Sequence, residues 1–118
     1  MQWSSHGISN NLWPSGSSRA IAVLSFEPEE LARRYGLRFQ EDVDDLDTLL
    51  FAVLRLDNGS NAMLYKHVGD PNPGTIVNVD AHADLAMERE LLVRALHLQA
   101  NDLLWIAPEA RKRREMFA

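Results

Sequence analysis

Between positions 49 and 80 the chain carries three apolar runs separated by two breaks that each force it to reverse, and this pattern limits the possible folds more than any other feature. Leu49 to Leu56 is dense in apolar side chains and leads to Asp57-Asn58-Gly59-Ser60, where Asn and Gly tolerate the positive φ angles of a tight hairpin. A second run, Ala62 to Val68, ends at Gly69-Asp70-Pro71-Asn72-Pro73-Gly74. Its two prolines cannot donate to a ladder, and a third run begins at Thr75. Strands joined in this way form an antiparallel meander over 49–80.

The flanking segments supply the other layer. Ala20 to Phe26 reads as a buried strand, and Pro28 with Glu29 and Glu30 opens a helix over 28–35 that Gly36 can close in the left-handed conformation. Glu41, Asp42, Asp44, Asp45 and Asp47 are dense enough in charge to predict a solvated loop. On a helical wheel, residues 83–99 gather Leu85, Met87, Leu91, Leu92, Ala95, Leu96 and Leu98 into one arc, which predicts an amphipathic helix lying across the sheet. Asn101 is placed to cap a second short helix through Leu103, Leu104, Trp105 and Ile106. The expected class is α+β: an antiparallel sheet of about four strands, covered on one face by the 83–99 helix with a short C-terminal helix beside it. Residues 1–19 read as an irregular leader, 20–107 as one domain and 108–118 as a basic tail.

Composition narrows the function classes. The 118 residues, 46% of them hydrophobic, suit one domain with a real core. The chain has no cysteine, which removes disulfides, thiolate nucleophiles and cysteine-bound zinc. No apolar run approaches the roughly 20 residues that span a bilayer, and the start lacks the regions of a signal peptide, so a cytoplasmic protein without a membrane partner is expected. A net charge of −5 opposes general attraction to nucleic acid.

Asp80-Ala81-His82-Ala83-Asp84 concentrates the chemistry-bearing side chains, with two carboxylates and an imidazole at alternate positions where an apolar run meets a helical pattern. The preferred reading is architectural: Asp80 caps the following helix, and Asp84 sits favourably near the positive end of its dipole. The segment Ile76-Val77-Asn78-Val79-Asp80-Ala81-His82-Ala83-Asp84 also resembles the metal-binding signature of the ureohydrolases, the arginases and agmatinases. That resemblance covers nine residues and implies Asp80, His82 and Asp84 as ligands of a manganese pair that generates hydroxide; apart from the resemblance, a metal site here would take manganese or zinc, with Glu88 as a further candidate donor. The other ligand motifs of that family have no counterpart in the chain. Asp84 and Glu88 fall on the apolar arc of the wheel, so they need Arg38 or Arg55 as partners or else border an open pocket.

Other candidates carry less. Gly69 and Gly74-Thr75 have the spacing of a phosphate-binding loop, but the lysine is missing and a strand follows. His6, His67 and His97 are separated along the chain, and the serines of the leader lack a base. Tyr65 and Asn78 mark a candidate small-ligand pocket, and the basic residues Arg111 to Arg114 read as a solvated helix face. Trp105, Leu104 and Trp13 add more apolar surface than one helix over a small sheet can cover, which predicts a partner interface and a homodimer. The functional expectation is a small non-enzymatic binding or regulatory module acting through a protein partner, accessory or antitoxin-like and without a cofactor. The alternative is a metal-dependent hydrolase built on the 80–84 motif.

Overall fold

In a computed structural model, which describes residues 17–44 and 47–111, the chain is α+β. Its elements are β1 (Ser18–Leu24), α1 (Pro28–Tyr35), β2 (Gln40–Asp44), β3 (Asp47–Arg55), β4 (Asn61–His67), β5 (Thr75–Asp80), α2 (Leu85–Leu96), a 3₁₀ turn (Ala100–Asp102) and β6 (Leu103–Ile106). The strands form one antiparallel sheet of six in the order β2-β3-β4-β5-β1-β6, two more than the sequence suggests.

The meander stands as expected. Phe51 faces Tyr65 and Val53 faces Met63 across β3 and β4, while Leu64 faces Val77 across β4 and β5. Gly59 takes φ +87° in the first turn, and the Ser60 N–H donates to Asn58 Oδ1 at 3.0 Å to close it. Alternation then sends Ala62, Leu64, Val77 and Val79 to one face and Met63, Phe51 and Leu49 to the other. Both helices share the first face, with Leu31 of α1 and Leu85, Leu91, Leu92 and Leu96 of α2 in one core with Ile21, Ala22 and Leu24. Each such side chain withdrawn from water contributes about 1.5–3 kcal/mol.

α1 matches its predicted bounds, because Pro28 fixes the first turn and Gly36 at φ +68° ends it. Elsewhere the sequence reading is corrected. The acidic segment is not a loop throughout, since 40–44 is an edge strand paired with β3; there Glu41 is exposed, while Asp42 is half-buried. Asp45 lies outside the described residues.

α2 is shorter than 83–99. It starts after Asp84 and stops where His97 takes the left-handed conformation, φ 52°. Met87 and Ala95 face solvent, so the buried arc is narrower than the wheel implies. Leu103 to Ile106 is not a helix capped by Asn101. Gln99 and Asp102 cap each other around the 3₁₀ turn, and the apolar run then leaves as β6 against β1. Residues 108–111 are helical and bury Ala110 in the main core. No helix among the described residues is long and apolar enough to cross a membrane.

Candidate functional site

The corner between β5 and α2 gathers Asp80, His82, Asp84 and Glu88 along one open depression of about 380 Å³, with Asn58 and Ser60 on its far wall. Asp80 ends β5 opposite Ser18. Its Oδ1 accepts the His82 N–H at 2.8 Å and its carbonyl accepts the Ala83 N–H at 3.1 Å, so this aspartate shapes the turn and is not the helix cap. Asp84 takes the cap role, because it alone stands directly before Leu85 in extended conformation; its Oδ1 accepts the Met87 N–H at 3.2 Å. His82 and Asp84 are exposed, so Asp84 does not follow Glu88 toward the core.

Glu88 is different. It is 2% exposed, and its Oε2 accepts from Asn58 Nδ2 at 3.2 Å and from Ser60 Oγ at 3.0 Å. Its Oε1 is buried without a hydrogen bond among the described residues. The partners are therefore the hairpin turn, and neither Arg38 nor Arg55 plays the part expected; Arg55 Nη1 donates to the Gly59 carbonyl at 3.3 Å. A buried carboxylate needs such donors, because its desolvation is otherwise uncompensated. Among the described residues, no three His, Asp or Glu side chains converge closely enough to hold a metal ion. The motif is thus brought to one depression, but its oxygens point to backbone amides and to the turn.

A second polar cluster ties the long loop to the β1–α1 junction. Glu27 accepts the Gly74 N–H at 2.7 Å through Oε2 and Lys66 Nζ at 2.6 Å through Oε1. The Gly74 amide first, and Lys66 second, hold the Glu27 carboxyl below its usual range. Thr75 Oγ1 donates to the Phe26 carbonyl at 2.7 Å beside it. The Gly74 amide, which a phosphate-binding loop would offer to its ligand, is already engaged by a carboxylate. Lys66 lines a hollow of about 450 Å³ with Phe39 and Leu50, but Glu27 neutralises it.

Burial pushes the Tyr65 phenol up, against a hydrogen bond from Asn78 that favours ionisation. Asn78 itself is buried and donates to Ser18 Oγ at 3.1 Å, which explains this polar pair as sheet cement between β4, β5 and β1.

β6 presents the other candidate surface. It ends the sheet order, and Leu104 and Trp105 are 51% and 45% exposed. Trp105 stands opposite Val23, and Leu104 reaches over Gly74, where an added Cβ would come within 3.0 Å of its Cδ1. Trp13, the third residue of the expected interface, lies outside the described residues. Four successive apolar residues gave the sequence no means of separating strand from helix, so this terminal strand of the described sheet escaped it. Compared with known proteins, the chain matches no family model, no curated protein and no solved structure.

Proposed function

We propose that this protein is a small non-enzymatic binding module that works by presenting the β6 edge of its sheet to a protein partner. The observation that supports the reading is an edge strand of four apolar residues with Leu104 and Trp105 half exposed. Large apolar side chains beside open backbone groups are what strand addition uses: the ladder gives affinity and the side chains give selectivity. The opposite edge is built against such pairing, since Glu41 and Asp42 stand on β2. The acids of the 80–88 corner, meanwhile, serve the turn, the cap and the hairpin anchor.

The test is affinity capture from the native host with three baits, the unaltered chain, Trp105→Lys and Val43→Lys, followed by reconstitution with the identified partner. Retention should survive Val43→Lys and fall about thirtyfold with Trp105→Lys, the weight of a central aromatic anchor worth about 2 kcal/mol. Retention indifferent to Trp105 would remove the proposal.

A further inference from the structure

Resting on that reading, we infer that the partner of the β6 edge is β6 of a second copy of this chain, joined antiparallel about a two-fold axis so that one sheet runs through both protomers. The backbone is oriented for it. The Ala107 N–H donates to the Ile21 carbonyl at 2.9 Å, and in the same register Val23 faces Trp105. Hydrogen-bonded pairs alternate along an antiparallel ladder, so Trp105 exchanges its amides with β1 while the N–H and C=O of Ile106 point away from it. The irregularity opposite Val23 and Leu24 confines a clean outer ladder to the Trp105–Ile106 half of the strand.

Charge and symmetry select the occupant. In a chain of net charge −5, the stretch from Leu103 to Ile106 has no ionisable side chain, and the adjacent Asp102 carboxylate is engaged by the Gln99 N–H at 2.8 Å. Two β2 edges would bring Glu41 and Asp42 against their own copies. Pairing β6 with β2 of the next molecule would leave a free edge at each end and repeat without limit, whereas β6 on β6 closes after two copies. Only that last arrangement brings like apolar surfaces together and leaves both acidic edges in water.

The experiment is sedimentation of the full chain from about 1 to 100 μM, with Trp105→Lys, Leu104→Lys and Val43→Lys beside it and thermal melts to confirm folding. The unaltered chain and Val43→Lys should be dimeric in the upper range. Trp105→Lys should weaken association at least about tenfold, and Leu104→Lys, outside the Trp105–Ile106 half that carries the outer ladder, should weaken it in the same direction. If Trp105→Lys fails to fold, Leu104→Lys decides. A dimer that Val43→Lys breaks and the β6 variants spare would overturn the inference. So would a chain monomeric throughout; if that monomer still lost a captured partner on Trp105→Lys, the edge would stand as a docking strand and only the second copy would fall.

Discussion

Ser60 Oγ, in the β3–β4 turn, donates to the buried Glu88 carboxylate of α2 at 3.0 Å, joining a hairpin tip to a helix 28 residues further along the chain. Ser60 Oγ also lies 2.6 Å from Asn58 Oδ1, and a hydroxyl has one proton for the two acceptors. Asn58 Nδ2 meets the same Glu88 oxygen, so the acid draws on both turn residues.

Glu88→Ala should therefore destabilise the fold by about 2–4 kcal/mol, combining lost hydrogen bonds to a charged group with an unfilled volume. Glu88→Gln keeps an acceptor and the side-chain bulk, and should cost about 1 kcal/mol. Chemical denaturation midpoints measure both. Equal losses would mean that the charged carboxylate, and not the bulk of the side chain, carries the whole contribution.

Gly74 and Gly59 both have positive φ, yet they should respond unequally to alanine. A Cβ at Gly59 meets nothing within 4 Å, so Gly59→Ala carries only the left-handed penalty of about 1–2 kcal/mol. At Gly74 a Cβ would lie 2.2 Å from the Leu24 carbonyl, a backbone atom that cannot swing aside. Gly74→Ala should exceed the Gly59→Ala loss by about 2 kcal/mol or fail to fold, as thermal melts of the pair would show.

Acid should loosen the junction that Glu27 holds. Its carboxyl titrates lower in the folded chain than its ordinary value of 4.5, so the ionised form is favoured by folding. The contribution is complete above that ordinary value and disappears as pH falls through the lower folded one. Denaturation followed across this range should show an acid limb that Glu27→Gln flattens. Because the Glu27 side chain is 44% exposed, added salt should flatten it too.

Local chemistry made part of this fold readable. Pro28 and Gly36 bound α1, Asn58-Gly59 makes the first hairpin, and the proline-rich break separates β4 from β5, because each residue there acts on its own backbone. The acids at 41 and 42 misled because charge density reports exposure to water, and an edge strand satisfies that as well as a loop does. Leu103-Leu104-Trp105-Ile106 misled because four apolar residues fit a period of 2 and of 3.6 alike, and only pairing with β1 decides between them. At the corner, contiguity announced that Asp80, His82 and Asp84 would meet. What their oxygens bind depended on where the helix starts, and the engagement of Glu88 on a turn distant in sequence.

The place of β1 between β5 and β6 has a consequence for biogenesis. It leaves the ribosome ahead of every other described strand, yet its neighbours β5 and β6 are encoded half a chain and most of a chain later. The β3–β5 meander closes from local contacts, while the greasy Ala20–Leu24 ribbon must wait bare until residues 75–80 and then 103–106 have emerged. Truncation before β5 would leave this apolar ribbon without either of its neighbouring strands, a fragment prone to aggregate.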